Sequence, residues 1–195
     1  MADKYKILTI SDMPLVPSGV GLQSRYLIEG LLKTGKYQFR SFGAAIKHAD
    51  YRPDKIVEYG DDWIIYPTDG YGNPVALREI LDHEKPDALW FVTDPRFYTW
   101  LFEMSDEVLD RGIPMLWWSI WDNLPTPQFN RLFYDSCSFV GCISKLTHQI
   151  VKDLNLDHKA EYIPHAVDSN FFNILDENKV MEEKIKLFGK DKKDS

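Results

Sequence analysis

Several residues able to do chemistry stand directly after apolar runs. Asp94 and Arg96 follow "DALWFVT", Trp121, Asp122 and Asn123 follow "IPMLWWS", Ser144 follows "SFVGCI", and His165 and Asp168 follow "AEYIP". Ser11 and Asp12 end the first such run, Gly43 the second, and Thr93 and Ser119 two others. If the runs are parallel strands, all of these residues collect at one edge of a sheet, where ligands of such sheets bind. The set is polar, aromatic and rich in carboxylates, which suits a hydroxyl-bearing ligand. Each residue also has a plain structural use. Asp94 and Arg96 suit a salt bridge with each other or with neighbours, Asp122 suits a turn cap, and His165 suits a polar contact holding a connecting segment. Trp121 offers one indole N–H and a stacking face but no proton to exchange.

A second group is Ser18-Gly19-Val20-Gly21. Two glycines where a helix begins leave backbone N–H groups and the positive end of the helix dipole open to an anion such as a diphosphate. They serve a tight turn or close helix–sheet packing equally well. As a dinucleotide fingerprint the segment fails, because Ser24 stands at the third glycine and the second strand ends in Ser41-Phe42-Gly43 with no acid for a ribose hydroxyl.

The elements that position these residues alternate. Strands are read at 5–11, 38–43, 63–66, 87–93, 113–119, 138–144 and 160–164, and helices at 19–34, 76–83, 97–110, 126–135 and 145–154. In the first helix Val20, Leu27, Ile28, Leu31 and Leu32 share one face, and Arg25, Glu29 and Lys33 repeat on the other. Runs apolar throughout, such as Asp87–Thr93, fit strands buried on both faces. This is a Rossmann-like, doubly wound α/β pattern with a mainly parallel sheet and helices on both faces. Residues 44–73 form a long excursion rich in Asp, Tyr, Gly and Pro. Trp117 and Trp118 read as core, as do most of Phe97, Tyr98, Trp100 and Phe102.

Composition narrows the function. A chain of 195 residues with 44% hydrophobic content suits one core. With 23 Lys+Arg against 30 Asp+Glu, a net charge of −7, it has no nucleic-acid footprint. No apolar run reaches the roughly 18 residues of a bilayer span, and MADKYKILTI lacks a signal-peptide pattern, so the reading is cytoplasmic with no transmembrane segment. Peripheral membrane contact is left open. Cys137 and Cys142 read as buried free thiols, and no histidine has ligand spacing, so no metal is expected.

Two segments carry a resemblance: "ILTISDMPLVPSGVGLQSRYLIEGLL" (7–32) and "AEYIPHAVDSNFF" (160–172). Together they resemble the N-terminal, acceptor-side domain of GT-B-fold glycosyltransferases of family 4, over essentially the whole chain. The resemblance implies a retaining, hexosyltransferase-like enzyme that moves a sugar from a nucleotide-sugar donor, as co-substrate, to a hydroxyl on a sugar or glycoconjugate acceptor, with no metal or other cofactor. Residues 1–175 correspond to the N-terminal domain, and 176–195 to a linker helix and solvated tail. The nucleotide-sugar-binding C-terminal domain is then missing and must be supplied in cis or in trans, so the chain alone is expected to be inactive. The site residues implied are Asp122 and Trp121 at the reaction centre, with Ser18, Gly19, Val20, Gly21, Asp94, Arg96, Asn123, Ser144 and His165 contacting substrate. Trp121 stands where the family commonly has a histidine, and Ala166 where it has a glycine. Those departures favour an alternative, a stand-alone binding or scaffold module. A nucleotide-dependent oxidoreductase is a weaker one. The helix after Asp176 has only a short apolar stripe and is expected to be marginal without packing. The tail from Lys190 is expected to be disordered.

Overall fold

A computed structural model describes residues 4–189, and the tail from Lys190 lies outside them. The chain divides into two compact units, one running through His165 and one beginning at Ala166.

The first unit contains β1 (Tyr5–Ile10), α1 (Gly19–Leu32), β2 (Tyr37–Gly43), β3 (Asp54–Lys55), β4 (Trp63–Pro67), α2 (Pro74–Glu84), β5 (Ala88–Val92), α3 (Thr99–Glu103), α4 (Ser105–Asp110), β6 (Met115–Ser119), α5 (Arg131–Asp135), β7 (Phe139–Cys142), α6 (Lys145–Asp153) and β8 (Ala160–Tyr162). The sheet order is β3-β4-β2-β1-β5-β6-β7-β8. All neighbours from β4 to β8 are parallel, and β3 alone runs antiparallel at the edge. From β1 the chain winds outward to β4 and then returns to β5 on the other side of β1. The loops after β1 and β5 therefore part, leaving a crevice at their carboxyl ends.

Side-chain alternation splits the core into two layers. On one face, Ile28 and Leu32 of α1 pack with Phe39, Trp63, Trp90, Val92 and Trp118. On the other, α2 to α6 bring Leu77, Leu81, Leu101, Val108 and Val151 onto Leu8, Ile10, Leu89, Phe91, Met115, Trp117 and Val140. The adjacent Trp117 and Trp118 thus enter opposite layers, 1% and 5% exposed. A buried hydroxyl pair, Ser11 to Ser24 at 3.0 Å, ties α1 to the end of β1, which gives Ser24 a packing role. Near the other end of the sheet, Glu84 is held by Arg40 (2.7 Å), Lys6 (3.0 Å) and the Tyr66 hydroxyl.

Three local expectations are corrected. Residues 97–110 are not one helix: Pro95–Phe97 is a 3-10 turn, and α3 and α4 meet at Met104. Tyr98 (φ −126°, ψ 30°) and Met104 (φ −103°, ψ 15°) both leave helical geometry. Those breaks turn Tyr98 edge-on to Phe91 and bring Phe102 onto Trp117, contacts that outweigh helix propensity. Residues 126–135 begin with a 3-10 turn, Gln128–Asn130, because Pro127 lacks an N–H and is not helical (ψ 85°). Strand β3, two charged residues inside the 44–73 excursion, has no apolar signal to announce it.

The second unit contains α7 (Glu177–Phe188). Its first turn is capped by Asp176, which accepts the Lys179 N–H at 2.9 Å, and it stops at Gly189, whose φ of 82° suits glycine. Among the described residues no helix is long and apolar enough to cross a membrane.

Candidate functional site

The crevice between the β1 and β5 loops is built on Asp12 and Thr93. Asp12 leaves β1 through a single bridge to Ala44, and its half-buried carboxylate accepts hydrogen bonds from the Thr93 and Ser18 hydroxyls. Burial outweighs those bonds and pushes the Asp12 carboxyl above its ordinary value. Thr93 has φ 129°, a strained value for a β-branched residue, and such strain concentrates at functional positions. Tyr98, fully buried nearby, has a hydroxyl with no hydrogen-bond partner among the described residues. Burial, and then the Asp12 charge, push its phenol upward, so it stays a neutral donor.

Beside the crevice, the ends of β5 and β6 enclose a cavity of about 350 Å³. Thr93, Asp94, Arg96, Trp121, Asp122 and Asn123 are among the residues lining it. Asp94 caps the 3-10 turn by accepting the Arg96 N–H at 2.9 Å, and it also takes the Arg96 Nε at 3.0 Å to both oxygens. Burial alone would raise the Asp94 carboxyl, but the Arg96 guanidinium and backbone N–H hold it below the usual range. The same guanidinium lies 5.1 Å over the Trp121 ring. Trp121 donates its indole N–H to the Asn123 carbonyl at 3.0 Å and meets Phe129 edge-on at 5.6 Å. Its donor is therefore used within the loop, and only ring surface remains for a ligand. Asp122 is exposed and has no ion-pair or hydrogen-bond partner among the described residues.

The remaining sequence candidates lie along the same edge but do not line this cavity. Ser18 caps α1, accepting the Gly21 N–H at 2.9 Å, and Val20 packs its side chain into the α1-side core. The two glycines differ. A Cβ on Gly19 would meet nothing within 4 Å, so this turn is open to close approach, whereas one on Gly21 would lie 2.7 Å from the Met13 carbonyl oxygen. Gly21 is thus a packing glycine, and Gly19 is the one that leaves the helix end open. Ser144 caps α6, accepting the Thr147 N–H at 3.0 Å. His165 packs edge-on against Trp118 at 4.9 Å, and desolvation holds its imidazole below the ordinary value, neutral at pH 7. Trp118 in turn donates to the Ile163 carbonyl at 2.8 Å.

Solved structures supply the comparison. The crystal structure of Anabaena Alr3699/HepE, in complex with UDP and glucose, superimposes with a TM-score of 0.58 at 10% sequence identity. The fit covers 95% of this chain and 50% of that one, so the chain spans about half the length of the protein it matches. This is a likeness of fold: a Rossmann-like α/β domain matching one half of that protein. No family model matches the sequence, and no curated protein matches it.

Asp12 stands among the strand-end residues of the sequence but not among its candidate contacts, because nothing in the chain announces that Thr93, far along the sequence, turns its hydroxyl onto it. Its raised pKa has a consequence. The folded state binds the Asp12 proton more tightly than the unfolded chain does, so stability falls as pH rises from the ordinary carboxylate value through the folded one. Asp12→Asn imitates the protonated form and is expected to raise the thermal midpoint at pH 7. At pH 3, where both states are protonated, it should leave the midpoint nearly unchanged. Thermal melts at the two pH values check this, and a lower midpoint at pH 7 would count against it.

Among the described residues no group of three or more His, Cys, Asp or Glu side chains could hold a metal ion. Cys137 and Cys142 are buried free thiols, both pushed up to about 12 by burial, which removes them as nucleophiles.

Proposed function

We propose that this chain is the acceptor-side half of a glycosyltransferase that moves a hexosyl group from a nucleotide-sugar donor to a hydroxyl of a sugar or glycoconjugate. The observation that carries the reading is the fold match of 95% of this chain to half of a protein solved with UDP and glucose. The crevice and the adjoining cavity supply what an acceptor needs, since carboxylates, an amide and an aromatic ring converge at the carboxyl ends of parallel strands. A retaining, family-4-like mechanism, a cytoplasmic setting and independence of a metal belong to the same proposal. Asp122 and Trp121 stand near the transferred group in it, with Ser18, Gly19, Val20, Gly21, Asp94, Arg96, Asn123, Ser144 and His165 along the acceptor side. The donor is held mainly by a second domain, acting in cis or in trans.

Trp121, which cannot exchange a proton, favours a second reading: a binding module that has kept the fold without the transfer. Calorimetry and a transfer assay separate these readings from a nucleotide site on this domain. The 195-residue chain alone is expected to show no sugar transfer and to bind UDP- or GDP-hexoses more weakly than about 100 μM, since a half-site leaves much of the ligand in water. Micromolar binding, about −8 kcal/mol, would place the nucleotide on this domain and defeat the proposal. Saccharide binding with no transfer after a donor-binding domain is supplied would favour the binding module.

A further inference from the structure

We infer that the cavity between the β5 and β6 loops selects its saccharide by charge, accepting an uncharged or amino-bearing sugar ring and rejecting one that carries a carboxylate or phosphate. This rests on the reading of the site as a saccharide site and specifies its ligand.

Charge balance within this partly open cavity decides which ligand it takes. Three charged side chains line the cavity: Asp94, Arg96 and Asp122. Asp94 and Arg96 cancel, because the guanidinium is bonded through Nε to both carboxylate oxygens at 3.0 Å and through Nη2 at 2.5 Å. Arg96 is additionally held over Trp121 at 5.1 Å. The one cation lining the cavity is thus already paired in charge, and an anionic ligand meets a guanidinium whose charge a partly buried carboxylate has neutralised. Asp122 has no partner among the described residues, so the cavity carries one uncompensated negative charge. A free carboxylate accepts hydrogen bonds from neighbouring sugar hydroxyls and attracts an ammonium, and it repels an anion.

Shape supports the same ligand. The volume of about 350 Å³ lies at the lower end of the ~300–1,000 Å³ usual for ligand pockets, which suits a single ring. Trp121 is held by its bond to the Asn123 carbonyl and by Phe129, so Trp121, Asp122 and Asn123 bring ring surface, carboxylate and amide to the cavity from one short run. A diphosphate finds no free cation among the residues lining this cavity. Any phosphate must be held elsewhere.

Titration of the ¹⁵N-labelled chain with glucosamine, glucose, glucuronate and glucose 6-phosphate, followed by NMR, tests the inference. Affinity is expected to fall in that order by about fivefold per unit of ligand charge, the scale of a unit pair a few ångströms apart in a water-like medium. The shifts should centre on residues 93–96 and 120–123, and the steps should shrink in high salt. Asp122→Asn, an exposed change that should leave the fold intact, is expected to weaken glucose by about tenfold. It should also narrow the gap between glucose and glucuronate, while Asp106→Asn on α4 changes neither. Binding of glucuronate equal to or tighter than that of glucose, or an unaltered gap in Asp122→Asn, overturns the charge selection while leaving a saccharide site in place. Absence of shifts at these residues with every sugar overturns the saccharide reading itself.

Discussion

Glu84→Ala is expected to destabilise the protein by about 3–5 kcal/mol, because it strands the charges of Arg40 and Lys6 beside a core position. Arg40 and Glu84 side chains are each only 7% exposed, and Glu84 also accepts the Tyr66 hydroxyl. For a chain of this length the loss corresponds to a fall of about 10 °C in the melting midpoint. The same cluster makes the wild type acid-sensitive. Burial alone would raise the Glu84 carboxyl, but the bonds from Tyr66, Lys6 and Arg40 outweigh it and hold the group at about 2, below its ordinary 4.5. A carboxyl with a depressed folded value gives stability that is complete above the ordinary value and lost as pH falls toward the folded one. Between pH 4.5 and 2 the wild type should therefore lose about 3 kcal/mol through this group. Urea titrations across that window check the claim. A Glu84→Ala variant whose stability falls as steeply with acid as the wild type would assign the acid loss to other groups.

The second large effect separates the two glycines of the α1 turn. Gly21→Ala would place a methyl 2.7 Å from the Met13 carbonyl oxygen, 2.9 Å from Ser18 Oγ and 3.0 Å from the Val16 carbonyl oxygen. Two of these three atoms are backbone, so relief requires the β1–α1 loop to move, at a cost of about 2 kcal/mol or more. Gly19→Ala meets nothing within 4 Å and is expected to be neutral or slightly stabilising, by ~0.5 kcal/mol. Melting midpoints of the two single variants decide it. Ser18 holds both the Gly21 N–H and the Asp12 carboxylate, so the Gly21 variant should also lose saccharide-induced shifts around Thr93. Equal midpoints for the two variants would show the loop to be more yielding than its packing implies.

Much of this architecture is legible in the residue pattern, for a physical reason. In a parallel sheet every strand ends at the same edge, so finding the apolar runs is enough to collect Asp94, Trp121, Asp122, Ser144 and His165 on one side. The sequence leaves the partner of Asp94 and Arg96 open, and the structure pairs them with each other. What the pattern does not carry is lateral distance. Gly19 and His165 share the edge, but they follow β1 and β8, with β5, β6 and β7 between them. The breaks at Tyr98 and Met104 are likewise illegible, since each residue tolerates a helix and only the fit of aromatic rings against Phe91 and Trp117 decides otherwise. Asp12 becomes conspicuous only through Thr93, whose backbone strain no sequence pattern announces.

The two outer strands bear on how the protein meets other chains. β3 offers only Asp54 and Lys55, directly after Pro53, and β8 offers three residues, two positions before Pro164. Short, charged, proline-flanked borders give an incoming peptide too few free amides to pair with. Growth of the sheet by a foreign strand, the route to ordered aggregates and to strand-donating complexes, is disfavoured at both margins of the described sheet.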